Sequence, residues 1–335
     1  MSETNVYQEL ADKLMMGHSD RIKKLFSMVA DEDEAKLMLA MPGLPEDLAD
    51  ATGKSLEDVK EALDVLFMKG LAFVSARSGK YRMPREIIQF HDATILWKDA
   101  SQEFLDLWKD WTREEWAQTA KLAEAFFTNP PTRIIPIDTV LEDKNQILHY
   151  ENVKEIIDNA SKIAVTRCTC RVIDGECGQP VEVCLQMNRG ADYAITRGTG
   201  REIDKAEAME ILRKSEEAGL VHVTMNTDHI DHYICNCCHD CCIGLKVMRQ
   251  EEGAKFVAPS RFQAVVDQEE CIGCEECIER CYFDALSMNE DGDEPKAVVN
   301  TDKCVGCGLC AVVCPSDAIQ FNEARPADFI PASKT

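Results

Sequence analysis

Two cysteine runs near the C-terminal end constrain this 335-residue chain more than any other feature. The first reads Cys271-x-x-Cys274-x-x-Cys277-x-x-x-Cys281, and the second Cys304-x-x-Cys307-x-x-Cys310-x-x-x-Cys314-Pro315. Thiolates at this spacing hold [4Fe–4S] clusters, and where two clusters are bound the fourth Cys of each run ligates the other one. The runs are part of an internal repeat. Val265-Val266-Asp267 recurs as Val298-Val299-Asn300, Cys271-Ile272-Gly273-Cys274 as Cys304-Val305-Gly306-Cys307, and Asp284-Ala285-Leu286 as Asp317-Ala318-Ile319, all at one constant offset. A duplicated half, with a strand entering each cluster loop, is predicted. Gly273 and Gly306 suit a loop wrapped closely about an inorganic core, because glycine has no Cβ and accepts positive φ. A zinc ribbon is the competing reading, for which duplicated three-gap runs are the wrong pattern.

This stretch resembles the bacterial-type 2[4Fe–4S] ferredoxins. The resemblance implies a βαββαβ ferredoxin-like domain over residues 259–325. It also implies one cluster on Cys271, Cys274, Cys277 and Cys314 and a second on Cys304, Cys307, Cys310 and Cys281. One position departs from the pattern: Tyr282 stands where the second half has Pro315. The departure bears on the turn and hydrogen bonding near Cys281, not on ligation.

Composition narrows the classes further. With 45% hydrophobic and 29% charged residues the chain is globular, and its length suffices for two or three domains. A formal net charge of −23 argues against nucleic acid or an anionic membrane surface as partner. It suits a redox protein steered to basic patches on a partner protein. The sequence opens on no charged leader with an apolar stretch, and no run approaches membrane-spanning length. The expectation is a cytoplasmic protein without membrane insertion, whose 17 Cys are metal ligands rather than disulfides. Such thiols and clusters need an anoxic or protected compartment. The oligomeric state is not legible.

Residues 1–85 read as helices ending in a short hairpin. Ser19 or Asp20 caps one helix, acidic residues 31–34 open the next, and Pro45 starts a third. Ser55 opens a helix with Leu56, Val59, Leu63, Leu66 and Phe67 on one face, ending at Gly70. Residues 71–74 and 80–83 around Ser78-Gly79 read as a two-stranded wing. The whole resembles a winged-helix domain. The would-be recognition helix carries Glu57, Asp58, Glu61 and Asp64, and residues 1–85 hold 12 Lys and Arg against 15 Asp and Glu. Groove reading needs a positive footprint, so contact with protein is favoured over DNA. Arg77, Lys80, Arg82 and Arg85 are the basic cluster that speaks for DNA. Residues 86–135, rich in Trp and Phe, are predicted to be a helical connector closed by Asn129-Pro130-Pro131.

Residues 136–258 are predicted to be an α/β middle domain. A helix over 153–160, strands over 162–167, 191–196 and 220–224, and a helix from Asp204 to Glu217 give a strand–helix–strand order. Cys168, Cys170, Cys177 and Cys184 follow one strand; Cys235, Cys237, Cys238, Cys241 and Cys242 follow another. Both groups would sit at the sheet edge where α/β folds place ligands. One or two further iron–sulfur clusters are the preferred reading, since soft thiolates suit them. Structural zinc is the alternative, with His229, His232 or His239 as nitrogen ligands. A redox thiol pair and plain buried Cys remain as lesser readings. Nine is an odd number for closed four-thiolate sites, and a cluster on three thiolates would expose an iron to substrate. Arg171, Arg189, Arg197 and Arg201 form a basic group suited to an anionic ligand, or to pairing with the abundant acids. Gly198-x-Gly200 is too short for a phosphate loop. His18, His91 and His149 read as ordinary surface or core residues. The Cys-x-Cys-Arg and Cys-Asn-Cys-Cys combination resembles a class of ferredoxin-ended iron–sulfur proteins from anaerobes, over roughly residues 160 to 320.

The expected architecture is thus an α+β multidomain chain. Its expected function is electron transfer between two [4Fe–4S] clusters, a middle-domain metal site and a partner redox enzyme, as an oxidoreductase component. The alternatives are a reductase acting through the middle site and a redox sensor using the winged helix.

Overall fold

A computed structural model describes residues 5–137, 148, 150–229, 232–250, 253–289 and 294–333; His149 lies outside them. The chain is mixed α and β and divides into two compact units, at Trp116 and Ala117.

In the first unit, local capping sets the helix starts. Ser19 accepts from the Ile22 amide at Asp20–Val29, Asp31 and Glu34 form a capping box at Glu32–Ala40, and Ser55 accepts from Asp58 at Leu56–Lys69. A two-residue pairing of β1 (Phe73–Val74) with β2 (Tyr81–Arg82) follows. Helices Ile87–Ile95 and Gln102–Glu114 belong to the same unit. Their aromatics are its core: Phe90 stacks on Phe26 at 4.2 Å, and Trp108 meets Phe90, Phe104 and Trp111 edge-on.

The second unit is built on a seven-stranded sheet. In chain order its strands are β3 (Thr132–Ile134), β4 (Ile163–Arg167), β5 (Glu182–Met187), β6 (Gly200–Ile203), β7 (Val221–Met225), β8 (Tyr233–Cys237) and β9 (Val257–Ala258). Their spatial order is β6-β4-β5-β8-β7-β3-β9, and every pairing but β3 with β9 is antiparallel. The strand–helix–strand order read from the sequence therefore does not make a parallel layer. Apolar faces of helices Val153–Asn159 and Lys205–Glu217 cover the sheet through Ile156, Ile157, Ala208 and Leu212.

Residues 191–196, expected as a strand, lie in helix Arg189–Thr196. Asn188 turns the chain at φ +50° and its carbonyl accepts from Asp192, which starts a helical turn. Ala191 and Ala194, three apart, then bury one small face against β4, β5 and β6. The real edge strand is β6, the next segment along.

The C-terminal domain consists of two antiparallel pairs, β10 (Phe262–Val266) with β13 (Ile319–Glu323) and β11 (Leu286–Asn289) with β12 (Lys296–Val299), plus short helices Glu276–Arg280 and Leu309–Val312. It shares an apolar core with the sheet, in which Ile134, Val221, Val223 and Leu245 pack with Phe262, Val305, Leu309 and Phe321. Arg261, 1% exposed, is held by Glu151 at 3.0 Å and by Glu323 at 3.2 Å. Removing one partner of a buried pair strands the other charge, at a cost of about 3–5 kcal/mol. Glu151→Ala is expected to lower the denaturant midpoint of the second unit, read by far-UV circular dichroism; an unchanged midpoint would mean that Glu323 alone satisfies Arg261.

Candidate metal centres

The sequence repeat is visible atom by atom in the C-terminal domain. Gly273 and Gly306 both take positive φ (+70° and +66°), as do Glu275 and Gly308, and Asp284 and Asp317. The Cys271 amide donates to the Asp267 carbonyl and the Cys304 amide to that of Asn300, each at 3.0 Å. Each half also reaches across: the Ala297 amide donates to Cys271 Sγ at 3.5 Å and the Ala264 amide to Cys304 Sγ at 3.4 Å. Amides aimed at thiolate sulfur are among the levers that set a cluster's potential.

The cysteines gather in crossed sets, the fourth of each run beside the first three of the other. One cavity of about 320 Å³ is lined by Cys271, Cys274, Cys277 and Cys314. Another of about 360 Å³ is lined by Cys281, Cys304, Cys307 and Cys310. Burial and then the neighbouring thiols Cys274, Cys314 and Cys271 push the Cys277 thiol up to about 11. Burial likewise pushes Cys307 up to about 12, helped by Cys281 and Cys304. At Cys277 and Cys307 burial thus favours the neutral thiol, and a bound cation makes the thiolate favourable there. Room, soft donors and four sulfurs per cavity fit a [4Fe–4S] core in each.

The nine middle-domain cysteines assemble because of strand direction. β4 and β8 both run antiparallel to β5, so their C-terminal ends flank its start. Cys184 lies in β5 opposite Thr166, two residues before Cys168, while Cys235 and Cys237 alternate to one side of β8. Asn236, between them, points the other way: its Nδ2 donates to the Val183 carbonyl at 2.6 Å and its Oδ1 meets His222 Nδ1 at 2.6 Å. Helices Thr169–Asp174 and Ile243–Met248 are capped by Cys168 and Cys242.

The spatial grouping differs from the grouping along the chain. Six thiols adjoin one another in a closed ring, in the order Cys168, Cys170, Cys242, Cys237, Cys235, Cys184. Cys168 and Cys242 are held well below the ordinary thiol range, chiefly by the adjoining Cys170 thiol. Cys177, Cys238 and Cys241 form a separate set with Asp240, their ligand atoms all within 4.8 Å of one another. Among the described residues, none of the candidate nitrogen ligands His229, His232 or His239 belongs to that set.

Arg171, 2% exposed, stands between the two groups. Its Nη2 donates to the Asn236 carbonyl at 2.9 Å, while Nε and Nη1 are buried without a hydrogen-bond partner. Burial would lower its pKa, but the charges of Cys168, Cys238 and Cys184 hold it high. Orphaned cationic donors amid sulfur fit an anionic thiolate–metal assembly, which supplies the missing acceptors. The other arginines do not converge there. Arg201 pairs with Glu182 and Glu207 on the surface, and Arg197 lies over the Tyr193 ring at 4.9 Å. The sequence missed Asp240 and Asn236 as site residues; their signal was position, one between two Cys and one between two strand Cys.

The two cysteine-rich regions meet at Tyr282. Its ring stacks on His239 at 4.1 Å and 16° between planes. A Cβ on Gly219 would collide with the Arg280 guanidinium and the Tyr282 hydroxyl, so glycine there permits the approach.

Residues 264–321 match the family model described as a 4Fe-4S dicluster domain. No curated protein matches the chain. The C-terminal domain is thereby a ferredoxin-type dicluster domain, a class whose cofactors are iron–sulfur clusters.

Gly306 approaches the backbone so closely that a Cβ would collide with the Phe262 carbonyl. Gly306→Ala is expected to lose about four iron per chain, with the remaining cluster retained. Full iron content in that variant, measured after anaerobic purification, would show that the loop can give way.

Proposed function

We propose that this chain is an iron–sulfur electron-transfer protein. In it, a dicluster ferredoxin domain serves a cysteine-bound metal centre in the adjoining sheet and a partner redox protein. The observation that carries this reading is the pair of cavities, each lined by four thiols drawn from both repeat halves, packed in one core with a sheet edge that holds nine more. When bound, the clusters supply one-electron chemistry at sulfur-ligated iron. In this reading Cys271, Cys274, Cys277 and Cys314 hold one, and Cys304, Cys307, Cys310 and Cys281 the other. The chain's own part is to supply these thiolates, to exclude water with Val266, Leu286, Leu309 and Phe321, and to aim the Ala264 and Ala297 amides at sulfur. The six-thiol ring holds at least one further iron–sulfur centre, with Arg171 offsetting its negative charge.

A partner is expected at the first cavity, whose rim is open. Cys274 is exposed and Ile272 is 65% exposed beside it, amid the acidic Glu269, Glu270, Glu275 and Glu276. A basic patch around an apolar contact is the complementary surface. The helices and hairpin of residues 5–85 resemble a winged helix, and the acidic helix Leu56–Lys69 favours a protein contact there over DNA. Among the described residues no helix is long and apolar enough to cross a membrane.

Iron and acid-labile sulfide per anaerobically purified chain test the reading. Values of about 12 or more are expected, against about 8 for the ferredoxin clusters alone. Near 8, the ring is not an iron–sulfur site. Cys281→Ala should remove about four iron and abolish the matching reduced-state EPR signal, while Tyr282→Phe leaves both counts intact.

A further inference from the structure

We infer that Cys177, Cys238, Cys241 and Asp240 form a separate mononuclear site for a zinc-type divalent cation, distinct from every iron–sulfur site of the chain. Four facts lead to it. First, the span is that of a single ion. Tetrahedral zinc with bonds of about 2.3 Å to sulfur places its thiolates roughly 3.8 Å apart. The four ligand atoms here lie within 4.8 Å of one another. A cubane inserts a whole iron–sulfur core between its thiolates and needs them further apart.

Second, the donor set is mixed. Thiolate sulfur and carboxylate oxygen are both ligand types that zinc takes, whereas a cluster prefers sulfur throughout. The Asp240 carboxylate is already oriented, one oxygen accepting from the Cys241 amide at 2.9 Å. It is the exposed member of the set, while Cys238 and Cys241 are buried, so the ion has an entry side.

Third, part of the charge is offset. Three thiolates and a carboxylate around a dication leave two negative charges, and buried Arg171 lies against Cys238. Fourth, the site joins separate pieces of the chain. Cys177 sits in the loop between helix Thr169–Asp174 and β5, whereas Cys238 to Cys241 form the turn after β8. An ion at this point clamps that turn, and with it the His239 ring against Tyr282. It also accounts for all nine middle-domain cysteines, as six in the ring and three here. The ion is a structural element in this proposal, not an electron carrier.

Zinc and iron counts on the anaerobically purified full chain, followed by cobalt exchange, decide the matter. About one zinc per chain is expected, removable by a chelator that leaves iron and sulfide unchanged. Co²⁺ added to the stripped protein should bind once per chain with thiolate-to-cobalt charge-transfer absorption and the visible bands of a tetrahedral ion. Cys177→Ser should abolish these bands at unchanged iron, and Asp240→Asn should weaken cobalt binding at least tenfold while sparing the fold. Loss of about four iron from Cys177→Ser, or cobalt bound without sulfur charge transfer, would overturn the proposal. If the ring proves to carry no iron yet cobalt binds as described, the electron-transfer reading of the middle region fails and this site stands.

Discussion

Four sulfurs facing one cavity are unsatisfied in either protonation state. As thiolates they repel one another in a medium of low polarity, and as thiols they leave a space that no side chain fills. A cationic core removes both difficulties at once. In the C-terminal domain this constraint reaches well beyond the ligands, because the cysteines are themselves much of the shared core. Cys271, Cys277, Cys304 and Cys310 pack with Phe262, Val266, Leu286, Leu309, Ile319 and Phe321. Metal binding and folding are therefore one equilibrium in this domain. The sheet side of the core, with Ile134, Val221 and Leu245, gives it a preformed wall.

In the middle region the same constraint is met by topology. Antiparallel pairing brings the ends of β4 and β8 to the start of β5, so residues far apart in sequence supply one ring of sulfur. The alternation along β8 separates tasks within a pentapeptide: Cys235 and Cys237 carry thiols to one side, and Asn236 ties the strand to Val183 and His222. Arg171 is then the electrostatic divider. One buried guanidinium borders both thiol groups and keeps their negative charges from adding without relief.

The ferredoxin-type domain was legible because its information is local. Ligand spacing, glycines at forced positive φ and a constant repeat offset all lie within one short stretch. Helix caps at Ser19, Asp31 and Ser55 were legible for the same reason. The middle domain was not, because its grouping is set by strand direction. Sequence proximity joined Cys177 to Cys168, whereas the loop after Gly175, at φ +64°, carries Cys177 away to Cys241. Strand–helix alternation implied an α/β layer without strand directions, and the register is antiparallel in all but the pairing of β3 with β9. Residues 191–196 misled in a similar way. Alternating small and polar residues look like a strand until Asn188 starts a helix whose buried face is two alanines.

Duplicated domains are usually interchangeable end for end, and the backbone here nearly is. Tyr282 ends that equivalence. Where the second half has Pro315, the first offers an aromatic ring to His239, under a neighbour that had to be glycine. The domain therefore has a front and a back, although its two cavities are chemically alike. A half-domain copied from its twin would still enclose metal, but it would have no address within the molecule. Orientation, not ligation, is the property that this chain has added to an otherwise symmetric module.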